Sequence, residues 1–357
     1  MTNKYYLLAL LSVLLLASCK SKKAVVASPK PLIVTIVDTV SPNPPVKVRT
    51  EAEQPPQKVA DVPVKEAQKE NVVIPEVTVE QKTAVTPVER TAPAAKIDYS
   101  VKKIAESSND GIEQIAQYNF THPDVPKAFD GFRIAFISDL HYKSLLGEKG
   151  LNTLVNLLIA QKPDVLLMGG DYQEGCEFVE PLFAALSKVK TPMGTFGVLG
   201  NNDYERCHDD LIRTMQKYGM HVLEQKVDTL RKNGQQIILA GVRNPFDLAT
   251  NGKSPTLALS PKDFVVLLVH TPDYIEDVSV ANTDLALAGH THGGQVRIFG
   301  VAPIKNSHFG DRFLTGLVRN SAKIPMIVTN GIGTSQMPIR LGAPSEIVMI
   351  TLHRFLE

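Results

Sequence analysis

Five short polar clusters punctuate this 357-residue chain, each directly after an apolar run: Asp139-Leu140-His141, Gly170-Asp171, Gly200-Asn201-Asn202-Asp203, His270, and Gly289-His290-Thr291-His292-Gly293-Gly294. Together they offer aspartate carboxylates, an asparagine amide oxygen and four imidazoles. Such an oxygen and nitrogen donor set suits two divalent ions of the manganese, iron or zinc type better than magnesium or calcium. Two adjacent cations lower the pKa of a shared water, bind phosphoryl oxygens and offset the charge that grows as hydroxide attacks phosphorus in line. The expected chemistry is therefore two-metal phosphoester hydrolysis, with no protein nucleophile.

Taken singly, each cluster has a plainer reading. Asp139 and Asp171 could cap turns at strand ends, and His270 could be a hydrogen-bonded residue at the edge of a core. The weight lies in the joint pattern, and most of all in two histidines one residue apart and surrounded by glycines, which permit the tight backbone needed to aim both rings at neighbouring ions. Asp139 and His141 are expected to converge because residues two apart in extended backbone point the same way.

The elements that must position these groups are legible as buried strands alternating with helices. Strands are expected at Phe132-Ser138, Asp164-Met168, Thr195-Leu199, Ile237-Gly241, Phe264-Val269, Asp284-Ala288, Gln295-Phe299, Ile324-Thr329 and Ile347-Leu352, several as the continuous Val/Ile/Leu runs of sheets covered on both faces. Helical spacing marks Lys149-Gln161, Cys176-Val189 and Asp209-Tyr218. Strand-helix repeats in the first half predict a largely parallel sheet, and the second half reads as strand-rich with hairpins. Ligand-type residues at successive strand ends fit the crevice where open α/β sheets place their sites.

The first third of the chain is different. Lys4 precedes an apolar run from Tyr5 to Leu16, too short to span a bilayer permanently and laid out like a secretory signal. The residues Leu16-Ala17-Ser18-Cys19 resemble the lipobox of bacterial lipoproteins, which implies removal of residues 1–18, acylation of Cys19 and stable membrane anchoring outside the cytoplasm. With Lys20 next and no acidic residue there, the outer membrane facing the periplasm is the preferred site. Residues 19–100 cycle through Pro, Val, Lys, Glu, Thr and Ala, bury too little apolar surface to fold, and read as a tether of about 3 Å per residue in its stiff limit. The catalytic domain is expected over 118–357.

Charge and cysteines narrow the options further. With 38 basic and 37 acidic residues, the formal charge of +1 supplies no field to gather nucleic acid, so none is expected as a partner. Cys176 and Cys207 follow the second and third clusters, on loops that should meet, and read equally as a disulfide or as two reduced thiols.

The five clusters, in this order, resemble the calcineurin-like metallophosphoesterases, together with Asn330-Gly331-Ile332-Gly333-Thr334-Ser335 and Pro338-Ile339-Arg340, which are similar to the exported and membrane-associated bacterial subgroup. The resemblance implies an α/β fold, a four-layer sandwich of two mixed β-sheets flanked by helices. It implies one metal on Asp139, His141, Asp171 and His292, and the other on Asp171, Asn201, His270 and His290. It also exposes a departure. The third cluster usually carries a histidine before its acid, and here Asn202 stands in that place, followed by Asp203, the expected orienting acid. An amide donates a hydrogen bond but delivers no proton, so His208, Tyr204 or His308 must substitute, or the leaving group needs little help. The expected activity is a phosphodiesterase or pyrophosphatase on lipid-linked or nucleotide-linked substrates. The alternatives are a protein or monoester phosphatase, and an inactive cell-envelope lipoprotein whose arm binds a partner. Arg340 and His308 are candidates for contact with the substrate phosphate.

Overall fold

The computed structural model describes residues 95–108, 110–243 and 253–355, all within one unit spanning Thr83–Glu357. Cys19, the signal segment and nearly all of the tether lie outside the described residues.

Two mixed sheets form the centre. The first has seven strands in the order β1 (Lys96–Lys103), β2 (Gln114–His122), β13 (Glu346–Arg354), β3 (Arg133–Ile137), β4 (Val165–Met168), β5 (Thr195–Gly197) and β6 (His221–Val222). The second has six, in the order β11 (Gly316–Arg319), β12 (Pro325–Val328), β10 (Leu285–Ala288), β9 (Val265–Leu268), β8 (Gln235–Gly241) and β7 (Lys226–Lys232). β3, β4, β5 and β6 run parallel, as do β8, β9, β10 and β12, while antiparallel pairs sit at β1/β2, β3/β13, β7/β8 and β11/β12.

The period-2 geometry of a strand explains the layers. Ile134 and Phe136 of β3 and Leu167 of β4 face a core that also holds Leu239, Phe264, Val266, Leu268 and Leu287, so this core lies between the sheets. Their neighbours Ala135, Ile137, Leu166 and Met168 face the opposite way, into a layer with Leu151, Leu154, Leu158, Phe183 and Leu211. Those residues come from α1 (Glu148–Gln161), α2 (Val179–Leu186) and α4 (His208–Lys217), with the short α3 (Asn201–Glu205) between. Leu151, Leu154, Val155 and Leu158 follow the helical i, i+3, i+4, i+7 spacing that puts one apolar stripe against the sheet. On the far side, Val265, Leu267, Ala286 and Val328 pack with Tyr274 and Ile275 of α5 (Tyr274–Asp277). Strands covered on both faces account for the continuous apolar runs.

Two expectations are corrected. Among the described residues the sheet already includes β1, upstream of residue 118, so the last residues of the expected 19–100 tether are sheet. β1 alternates Ile97, Tyr99 and Val101 with polar residues but is largely exposed: Ile97 packs against the core, Tyr99 lies on the Tyr118 ring, and backbone pairing with β2 holds the strand. Gln295-Phe299 is no strand, because Gln295 and Phe299 both take positive φ and the chain turns back with Ile298 and Val301 exchanging backbone hydrogen bonds. Cys176 and Cys207, equally readable as thiols or a bridge, are joined in a disulfide that ties the segment after β4 to the start of α4, its Cα atoms 5.4 Å apart.

Candidate metal centre

Every cluster expected to do chemistry leaves the C-terminal end of a parallel strand: Asp139 and His141 after β3, Asp171 after β4, Asn201 after β5, His270 after β9, and His290 and His292 after β10. The first sheet supplies the oxygen donors and one imidazole, and the second supplies three imidazoles.

These side chains meet as two groups. The ligand atoms of Asp139, His141 and His292 lie within 4.8 Å of one another, and so do those of Asp171, His270 and His290. Asp171 joins the groups: its Oδ2 is 3.5 Å from His141 Nε2 and 3.3 Å from His270 Nε2. The amide oxygen of Asn201 is 3.2 Å from His270 Nε2, and His290 Nδ1 is 3.3 Å from the same nitrogen. His292 Nε2 stands 3.5 Å from Asp139 Oδ1.

The convergence of Asp139 and His141 has a different cause from the one expected. Neither residue is extended; both have positive φ, as do Asp171, His290 and His292. Five of the seven candidate ligands thus hold the left-handed backbone that costs a residue with a side chain of order 1–3 kcal/mol and that clusters at functional sites. The conformation is enforced by cross-strand bonds, with Asp139 N donating to Gly170 O (2.9 Å) and His141 N to Asp171 O (3.1 Å). Two glycines make the approach feasible. A Cβ on Gly200 would lie 2.1 Å from Asp171 Oδ1, and one on Gly289 would lie 2.2 Å from Asp139 Oδ2.

Three observations fit these residues to cations. His141 Nε2 and His292 Nε2 are buried with no hydrogen-bond partner, which is costly for a polar atom with no ion to meet. His141 Nδ1 pairs with Glu174 Oε1 at 2.6 Å, and His270 Nδ1 pairs with Gly169 O at 2.8 Å, so each ring can keep its Nε2 lone pair for a metal. Electrostatics agree. Burial resists ionisation of Asp171, yet the imidazoles of His270, His141 and His290 hold its carboxyl below the usual range. Burial raises Asp139, despite His270 and His141 nearby. His270, opposed by burial, is pushed up to about 10 by Asp171, whereas burial and His270 push His290 down to about 3. His141, opposed by burial, is likewise raised by Glu174 and Asp171, so the buried carboxylates lean on neighbouring imidazoles, a balance that divalent ions would supply directly.

Asn202 is at this site. Its amide Nδ2 and its backbone N donate to the two oxygens of Asp171, each at 3.0 Å. Asp203 is not the orienting acid expected. Wholly buried, it accepts backbone hydrogen bonds from Asp171 N (2.7 Å), Gly200 N (2.8 Å) and Tyr172 N (3.0 Å), clamping the ends of β4 and β5 together. Burial and the nearby Asp171 raise its pKa to about 7.

Arg340 and His308, the candidates for contact with the substrate phosphate, each have partners within the protein. Arg340 spends its guanidinium on the carbonyls of Gly333, Ala343 and Asn330, with Nη2 3.3 Å from His292 Nδ1. Burial, then the charges of His141 and Arg340, keep His292 well below its ordinary pKa and therefore neutral. His308 is exposed but held between Asp273 and Asp277. Tyr204 and His208 both engage Glu224. Glu174 was not legible as a functional residue; an acid three residues after Asp171 in the same loop is the only signal it left.

A family model described as calcineurin-like phosphoesterase matches residues 132–294, which contain all seven candidate ligands. Phosphodiesterase YaeI of Escherichia coli is 32% identical over 235 residues, covering 62% of this chain and 82% of its own length. The chain belongs to the calcineurin-like phosphoesterase family. Other members similar to it are the uncharacterized metallophosphoesterase YkuE of Bacillus subtilis, 28% identical over 234 residues (64% of this chain, 81% of that one), and an uncharacterized metallophosphoesterase of Aquifex aeolicus, 26% identical over 246 residues (67% and 91%). Calcineurin-like phosphoesterases use a binuclear divalent metal centre, and the two Asp/His groups could hold one. The chain is accordingly a metal-dependent phosphoester hydrolase.

Proposed function

We propose that this phosphoesterase cleaves phosphodiester or pyrophosphate bonds, with Asp139, His141, Asp171 and His292 holding one cation and Asp171, Asn201, His270 and His290 the other. When bound, such a pair supplies an activated water and charge stabilisation at phosphorus. The residues of the chain do the rest. Asp171 fixes the spacing of the two groups, Glu174 and the Gly169 carbonyl set the orientation of His141 and His270, and Asp203 fixes the backbone on which Asp171 stands.

The observation that carries the substrate class is Asn202. It sits on Asp171, where it can donate a hydrogen bond, and it has no proton to give a departing alkoxide. Bonds whose leaving group departs readily, such as pyrophosphates and activated diesters, suit a site built this way. The name of the Escherichia coli relative, a phosphodiesterase, supports the same reading. The lipobox-like residues ending at Cys19 support action on a membrane, outside the cytoplasm, where lipid-linked and nucleotide-linked phosphates are both candidate substrates.

The test compares bis-p-nitrophenyl phosphate, a nucleotide pyrophosphate and glycerol phosphate with manganese present. The first two should turn over well ahead of the third. Equal turnover of glycerol phosphate would overturn the reading.

A further inference from the structure

Of the fifteen large apolar side chains exposed among the described residues, seven lie on two loops beside the metal centre, Gln295–Ile304 and Ser335–Leu341. Isolated exposed apolar residues are ordinary; a contiguous set marks an interaction surface. Here the set is built rather than incidental. The loops are tied by Arg297 N to Leu341 O and Leu341 N to Gln295 O, and the Gln295 side chain bonds Ser335 and Met337. At the tip, Ile298 and Val301 close a two-residue turn over Phe299 and Gly300, both at positive φ. A phenylalanine in left-handed backbone is a strained choice, and this one is fully exposed at 103%, with Ile298, Val301, Ile304, Met337 and Ile339 between 48% and 62%. The strain presents an aromatic ring to the surroundings.

Charge selects the partner. No Asp or Glu occurs between His292 and Phe309 or between Gly331 and Ala343, although the chain carries 37 acids, and Arg297 has no carboxylate partner among the described residues. Lys305 on the first loop pairs with Asp311 and Arg340 on the second is turned inward, so Arg297 carries the uncompensated charge beside the apolar tips, an arrangement that suits the boundary between anionic headgroups and acyl chains. A cavity of about 130 Å³ under these loops is lined by His292, Gln295, Ile304 and Met337, so the surface adjoins a candidate ligand.

The geometry points to these two loops as a docking surface for an anionic phospholipid bilayer, which Phe299 and its apolar neighbours enter, turning the metal centre toward phosphoesters at the membrane interface. This surface is independent of acylation at Cys19 and of the bond the enzyme cleaves. The chain contains no tryptophan, so one introduced residue is a unique reporter.

In the full chain with Cys19→Ser, Phe299→Trp should blue-shift and brighten with phosphatidylglycerol/phosphatidylcholine vesicles, while Val227→Trp, half exposed on the edge strand β7, should not. Without a reporter, Phe299→Ser should weaken partitioning to those vesicles by about tenfold or more, and Arg297→Gln by about fivefold. Indole emission from the Phe299→Trp variant that stays put while the protein sediments with vesicles would overturn the inference. So would a shift that needs no vesicles and grows with protein concentration, since a second copy would then be the occupant. Neither readout depends on turnover, so failure here is distinct from failure of the phosphodiesterase reading.

Discussion

The two sheets furnish the metal centre unequally. The strand ends of the first bring every oxygen donor, Asp139, Asp171 and Asn201, with His141 alone as an imidazole; the second brings only His270, His290 and His292. Neither sheet holds a complete site. Each three-residue group takes its carboxylate from one sheet and an imidazole from the other, so the centre exists only where the sheets are packed at a fixed spacing, and the apolar layer between them is part of the catalytic apparatus. Charge divides along the same line, with carboxylates on one side answered by imidazoles on the other.

The sharpest way to break this arrangement is at the one residue that serves both groups. Asp171→Asn keeps the shape and removes the charge, and with it several kcal/mol of electrostatic stabilisation, so turnover of bis-p-nitrophenyl phosphate should fall by about 10³-fold or more. Metal content by elemental analysis should fall in the same variant. Wild-type turnover with two metals absent, or full activity in the Asp171→Asn variant, would end the two-group description.

Next in size come variants that loosen the frame. Phe136→Ala empties a wholly buried position between the sheets and should cost about 3–5 kcal/mol in denaturant unfolding. Opening the Cys176–Cys207 bridge with paired serines releases a loop with a sequence separation of 31, for about 3–4 kcal/mol. The two should differ in character. The first disturbs the spacing of the sheets and should lower metal affinity in the protein that remains folded, whereas the second ties segments of the first sheet's side only and should leave the affinity of the folded form nearly unchanged.

A smaller effect separates the two groups themselves. Glu174→Gln weakens the partner that orients His141, and such changes behind a ligand cost about 10–100-fold in metal affinity or activity. The group of Asp139, His141 and His292 should release its ion first on titration with a chelator, while the group of Asp171, His270 and His290, braced by the Gly169 carbonyl, should hold. Simultaneous release would show that the groups are not separable.

How far the sequence reveals all this depends on which physical signal each part leaves. An apolar run ending in a polar residue marks a buried strand delivering a side chain to its tip, and on that basis Asp139, Asp171, Asn201, His270 and the His290/His292 pair were legible together with β3, β4, β5, β9 and β10. Edge strands leave no such mark. β1 is largely exposed and β7 buries only Leu230, so both are held chiefly by backbone bonds that any sequence can make. Val296 and Ile298 alternate with Gln295 and Arg297 as a strand would, yet the segment ends in a turn that displays Ile298 and Phe299 instead of burying them. Left-handed backbone at five candidate ligands was invisible, since aspartate and histidine do not announce it as glycine does. Asp203 misled for a related reason: its type fits catalysis, and only the fold shows three main-chain amides occupying it.

That last residue sets the size of the smallest effect. Asn202→His would restore the side chain common in this family, and an imidazole acting as acid is worth about 10²–10⁴-fold where it is held in place. Here the neighbouring acid cannot hold it, because both oxygens of Asp203 are committed to Asp171, Tyr172 and Gly200 amides across the ends of two strands. The introduced ring would also forfeit the amide bond that Asn202 makes to Asp171. Glycerol phosphate turnover should therefore rise by less than about 10²-fold, and p-nitrophenyl diester turnover, whose leaving group needs no proton, should stay level or dip. A gain at the top of the range would mean that Asp203 leaves its backbone partners when a histidine is present, making it an orienting acid held in reserve; no gain at all would place the true proton donor elsewhere, with the Glu224-linked His208 as the next residue to replace.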